Sequence, residues 1–175
     1  MSRIGFIHDK LDIKFLVLYI VARVEAPIDF ATLTDLAMCD DGVDYFIFSQ
    51  AVSELVQSEH MTLEDERYAI TEKGRKNGAI CEESLPFSVR QKCDQNLAKI
   101  NARLRYEAQI RTEVEPRENQ GYNVRFILDD HQDNLMTLSL FAPTLEQANQ
   151  MAEQYKKSPD VLYRTILSSL TPSDE

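Results

Sequence analysis

No CxxC pair, HExxH run, GxGxxG, P-loop or nucleophile elbow occurs anywhere in the 175 residues. Zinc-thiolate, zincin, dinucleotide, nucleotide-triphosphate and hydrolase chemistries therefore lack their usual signatures. The three cysteines, Cys39, Cys81 and Cys93, are odd in number and scattered, which argues against a disulfide framework and fits a reducing cytoplasm. Cys39 stands beside Asp40 and Asp41, whose field is expected to raise a thiol pKa, the opposite of what a reactive thiolate needs. His8, His60 and His131 are far apart and belong to no catalytic pattern. The expectation is a protein with no catalytic residues, no cofactor and no metal.

Long apolar runs are missing too. The longest, Phe15 to Ala22, has eight residues and ends at Arg23, well short of the roughly 20 that cross a bilayer. Asp9 and Asp12 precede it and no small-residue cleavage site follows, so it does not resemble a signal peptide. Positive charge is scarce. The net charge is −10, and the 86–111 segment, with 6 basic and 2 acidic side chains, is the only basic stretch. Residues 1–85 carry 8 basic and 16 acidic groups, and residues 112–175 carry 5 and 11. Acidity of this degree disfavours nonspecific phosphate binding, which draws its affinity from Lys and Arg.

What is present is periodicity. Residues 10–26 predict a helix apolar on nearly all sides, hence buried on nearly all sides, and ended by Pro27. Asp29 is placed to cap a short second helix carrying Phe30, Leu33, Leu36 and Ala37. A third begins near Asp44, with Phe48, Val52 and Leu55 at i, i+4 and i+7. Residues 60–63 and 67–70, separated by the acidic turn Glu64-Asp65-Glu66, predict a hairpin, and Thr71 caps the following helix. Three helices and then a hairpin is the order of a winged helix.

Certain residues make the likeness more specific. Asp44-Tyr45-Phe46 leading into residues 50–55, and then Tyr68-Ala69-Ile70-Thr71-Glu72-Lys73-Gly74, resemble the third helix and wing exit of winged-helix regulators. The Tyr-x-Ile-Thr-x-x-Gly element is similar to one that recurs in the MarR and PadR families. Over nearly its full length the chain resembles an uncharacterised bacterial family, a domain of unknown function, that joins a winged helix to a small α/β domain.

The expected architecture is α+β. A winged helix-turn-helix spans 1–85, a connecting and dimerisation helix spans 86–111, and a three-stranded antiparallel sheet with two helices spans 112–175. Cys93, Leu97, Ile100 and Leu104 form a coiled-coil-like seam on the connecting helix, expected to face a second copy in a homodimer. In the last part Tyr122, Val124, Phe126 and Leu128 alternate against Asn123, Arg125, Ile127 and Asp129. Met136, Leu138 and Leu140 repeat that period, and Thr144 opens a helix with a capping box to Gln147. After Ser158-Pro159, Leu162, Ile166 and Leu170 are expected to face inward, while residues 171–175 fray.

The third helix supplies the candidate contacts to double-stranded DNA: Tyr45, Ser49, Gln50, Ser53 and Gln57, several of them able to hydrogen-bond base edges. Arg67, Lys73, Arg75 and Lys76 are the cations expected near phosphate. Two features oppose them: Glu54 lies on the same helix, and Glu64-Asp65-Glu66 form the wing tip. The expected function is a cytoplasmic DNA-binding transcriptional regulator of winged-helix type, with no membrane partner and an unspecified effector. The alternative is a winged-helix module that binds protein instead. The acidic clusters at 40–44 and 129–133 lack calcium-loop spacing and are expected to serve caps and turns.

Overall fold

The computed structural model describes residues 5–130 and 132–171, which fall into two compact units, Met1–Leu104 and Arg105–Glu175. His131 and residues 172–175 lie outside the described residues, and with them part of the second acidic cluster and most of the predicted fraying tail. The chain is mixed α+β, with seven α-helices and two three-stranded antiparallel sheets among the described residues.

In the first unit, α1 (Lys10–Val21) starts where the Asp9 carboxylate accepts from Leu11 N, and it buries Ile13 and every residue from Leu16 to Val21. It ends before Pro27, at Val21. Asn101 captures the chain just beyond, donating to the Arg23 carbonyl at 2.9 Å and accepting from Glu25 N at 3.1 Å. Next come β1 (Ile28–Asp29), α2 (Phe30–Ala37, capped by Asp29) and α3 (Tyr45–Gln57, capped by Asp44). The hairpin of β2 (Met61–Glu64) and β3 (Arg67–Ile70) follows, then α4 (Glu72–Cys81) and a 3₁₀ turn over Glu82–Ser84. The sheet order is β1-β3-β2, with Ile28 opposite Tyr68 and Met61 opposite Ile70. The two-residue hairpin turn places Asp65 and Glu66 at φ 48° and 62°, as the twist of such turns demands.

Helix α5 (Phe87–Gln109) changes the expected organisation, because residues up to Leu104 belong to the first unit. Cys93, Leu97 and Leu104 are 0, 3 and 9% exposed, and Ile100 packs against the same core. The seam expected to meet a second copy is thus covered by the chain's own helices. Burial of each leucine contributes about 1.5–3 kcal/mol to holding α5 in place. Tyr19 reinforces this attachment by donating to Asp94 at 2.7 Å.

Two further expectations change here. Cys39, in the turn after α2, and Cys93 on α5 lie with their sulfurs 2.8 Å apart, although 54 residues separate them in sequence. The Cys39 thiol is also held below its ordinary pKa, chiefly by hydrogen bonding with Cys93, which outweighs the opposing effects of burial and of the Asp40 charge. Asp40 itself is buried, and its Oδ2 accepts from Phe6 N, Ile7 N and Gly42 N at 2.8, 3.1 and 3.1 Å.

In the second unit, β4 (Ile110–Pro116), β5 (Tyr122–Asp129) and β6 (Asn134–Ala142) form a meander, with Val124 opposite both Val114 and Leu140. Alternation buries Val124, Phe126 and Leu128, and α6 (Leu145–Lys157) lays Ala148, Ala152 and Tyr155 inward. The Thr144 hydroxyl caps α6 through Gln147 N. Along α7 (Pro159–Leu170), Leu162 is partly buried and packs on this core, whereas Leu170 is 76% exposed. The inward stripe predicted for that helix therefore stops short of its last turn.

Candidate nucleic-acid interface

Helix α3 has two dissimilar faces. Phe48, Ala51, Val52 and Leu55 are buried, while Gln50, Ser53 and Gln57 are exposed and Ser49 is half-buried. Capping starts the helix firmly, because Asp44 Oδ1 accepts from Phe46 N at 2.9 Å and from Ile47 N at 3.1 Å. Tyr45 is 49% exposed beside Phe46, which is 81% exposed. The Tyr45 ring meets Phe30 edge-on, and Phe30 also contacts Phe48 and Tyr68, so an aromatic cluster fixes the helix start against α2 and the hairpin.

Glu54 does not present a bare negative charge. Lys10 and Lys14 of α1 both reach it, Lys14 at 2.7 Å from Oε2, and their hydrogen bonds, Lys10 foremost, hold its pKa below the ordinary carboxylate range. These two lysines were not among the sequence candidates. Their i, i+4 spacing, which puts both on one side of α1, was the available signal.

The expected phosphate-contacting cations are dispersed. Lys73 donates to the Ser58 carbonyl at 2.6 Å, which sets it beside the C-terminal end of α3. Arg67 donates to the Pro27 carbonyl and Arg75 to the Ala22 carbonyl, each at 3.2 Å. Lys76 pairs with Glu72 across one helical turn at 3.6 Å. The structure thus unites the α3 side chains on one exposed face, whereas the four cations are tied to three different segments and to an acid. The hairpin tip, Glu64 to Glu66, is exposed.

His60 joins α3, β2 and α4. Its Nε2 lies 2.7 Å from the Asn77 side-chain amide nitrogen and its Nδ1 lies 2.8 Å from Ser58 Oγ. Burial, and after it the nearby Lys73 charge, holds the His60 pKa below its ordinary 6.5. A folded-state pKa lowered in this way contributes stability that is complete above 6.5 and is lost as pH falls through the folded value. The melting temperature of the first unit should accordingly fall between about pH 7.5 and pH 5, and His60→Asn should flatten that dependence. An unchanged slope in the variant would remove His60 from this role.

Among the described residues no group of three or more His, Cys, Asp or Glu is arranged to hold a metal. Asp129 accepts from Arg111 and Asn134, and Asp130 Oδ1 accepts from Gln132 N and Asp133 N, so this cluster closes a hairpin. The second unit has an open apolar cavity of about 600 Å³ lined by Phe126, Leu140, Met151 and Leu162, with Gln147, Gln150 and Gln154 at its polar positions. No helix among the described residues is long and apolar enough to cross a membrane.

The family model Domain of unknown function (DUF4364) matches residues 13–170 of the chain. The chain belongs to this family. The DUF4364 match runs from α1 through α7 and so takes in both units, the candidate α3 face and the cavity of the second unit. No curated protein and no solved structure matches the chain.

Proposed function

We propose that the first unit of this DUF4364 protein is a winged helix of the kind the MarR and PadR families use, that α3 reads the major groove of double-stranded DNA, and that the protein acts in the cytoplasm as a transcriptional regulator. One observation carries the reading. The order α1-β1-α2-α3-β2-β3, with a β1-β3-β2 sheet, leaves the polar face of α3 outside the core. Neutralisation of Glu54 by Lys10 and Lys14 removes a charge that would otherwise repel phosphate from that face. Homodimerisation belongs to the same proposal, but through a surface other than Cys93, Leu97, Ile100 and Leu104, which the core already covers.

The test is retention of source-genome fragments by the full chain, followed by titration on the preferred site. Gln50→Ala should cost about 1–3 kcal/mol on that site and leave nonspecific affinity nearly unchanged, because an adenine-type contact carries sequence information and little charge. Binding should fall steeply with salt and be mostly lost near physiological ionic strength.

A second reading has its own support. Phe46, 81% exposed at the head of α3, and the acidic wing tip suit a protein partner better than a phosphate backbone. Failure to retain any duplex at low salt would replace the regulator with such an interaction module.

A further inference from the structure

We propose that Cys39 and Cys93 are a redox modification site, a dithiol pair that an oxidant of the peroxide class converts into an intramolecular disulfide joining the turn after α2 to helix α5. The sulfurs are already 2.8 Å apart, so closing to a bond length of about 2.05 Å requires a shift of under about 1 Å. Both thiols are free, and they differ in access: Cys39 is half-buried and Cys93 is fully buried. That asymmetry assigns the roles. Cys39 meets the oxidant and Cys93 resolves the product.

The site favours the same division chemically. Hydrogen bonding between the thiols holds Cys39 below its ordinary pKa and pushes Cys93 up, so the proton stays on the inner sulfur. Lys92 assists the Cys39 thiolate. Asp40 opposes it, but its Oδ2 is committed to three backbone N–H groups.

The Cys39 thiolate attacks one peroxide oxygen, the O–O bond breaks, and hydroxide or alkoxide leaves and takes up a proton, giving a sulfenic acid. Cys93 then gives up its proton and attacks the sulfenic sulfur, so that the S–S bond forms as the S–O bond breaks and water leaves. The two thiols lose two electrons and the peroxide gains them. The closed loop encloses α3, the hairpin and α4, and thus the whole face treated above as a candidate interface. The inference does not rest on that face binding DNA.

The experiment treats the full chain with hydrogen peroxide, alkylates the remaining thiols and maps peptides without reduction. Free thiols should fall from three to one, with Cys39 linked to Cys93 and Cys81 still alkylated, and dithiothreitol should restore all three. The oxidised form should melt about 5–15 °C higher, since a cross-link closing a loop of this size restricts the unfolded chain. In Cys93→Ala, a dimedone adduct should accumulate on Cys39; in Cys39→Ala, Cys93 should stay unmodified. Three alkylatable thiols after peroxide, a link involving Cys81, a link between two chains, or dimedone on Cys93 would each overturn the proposal. The wild-type peptide map needs no variant to fold.

Discussion

Asp40→Ala is expected to lower the stability of the first unit by about 3–5 kcal/mol. The carboxylate is 2% exposed, and one oxygen accepts from three backbone amides, two of them 33 and 34 residues away. Removing it leaves buried N–H groups without an acceptor, and each such orphan costs about 1–3 kcal/mol. The 5–7 segment lies hard against this turn, since a Cβ on Gly5 would stand 2.0 Å from Gly42 N and 2.5 Å from Asp40 Oδ2. Asp40→Asn keeps a carbonyl oxygen in the same place and should lose about half as much. Urea unfolding followed by circular dichroism gives the energies, and hydrogen exchange at Phe6, Ile7 and Gly42 reports the clasp directly. A loss under about 1 kcal/mol for the alanine variant, or unchanged exchange at those amides, would show that the 5–7 segment is held by other contacts.

Asp40 also shows what a single sequence does not reveal. Its neighbours Asp41 and Asp44 made it look like part of an acidic turn, and the turn is real, with Gly42 N among its partners, but the other two, Phe6 N and Ile7 N, come from far earlier in the chain. The same holds for Cys39 and Cys93, which meet only because α5 folds back along the first unit. It holds again for Leu97 and Leu104, whose period identified a seam but not the surface that covers it. Local features were readable because their physics is local. Asp29, Thr71 and Thr144 are the N-caps expected of them, β3 occupies residues 67–70, and the alternation along β5 buries Val124, Phe126 and Leu128, although Tyr122 is only half-buried and Ile127 on the opposite face is buried as well. Strand β1 was not anticipated. Two residues carry no period, and Ile28–Asp29 is a strand only through pairing with Tyr68 and Arg67. On the candidate interface, the polar face of α3 was legible from helical spacing, whereas the dispersal of Arg67, Lys73, Arg75 and Lys76 depends on which carbonyl or carboxylate each one finds.

The second large effect separates two glycines on one helix. Gly74 and Gly78 are both buried in α4, and helix propensity alone would favour alanine over glycine at either by about 1 kcal/mol. Their surroundings differ. A Cβ on Gly74 would lie 2.0 Å from the His60 carbonyl oxygen and 3.1 Å from Ile70 Cγ1. That carbonyl cannot retreat, because it accepts from both the Thr71 amide and the Thr71 hydroxyl, which in turn accepts from Gly74 N. This closed set of contacts gives the Tyr-x-Ile-Thr-x-x-Gly element its physical meaning: the threonine caps the helix, and the glycine lets the helix press against the start of the hairpin. Gly74→Ala must push α4 off β2 and should cost about 2–4 kcal/mol. A Cβ on Gly78 would instead touch Leu18 Cβ at 3.4 Å, an ordinary van der Waals distance, so Gly78→Ala should be neutral or stabilising by up to about 1 kcal/mol. Measured side by side by thermal and urea unfolding, the two variants should move in opposite directions. Equal effects from both would mean that crowding at His60 does not decide which glycine α4 requires.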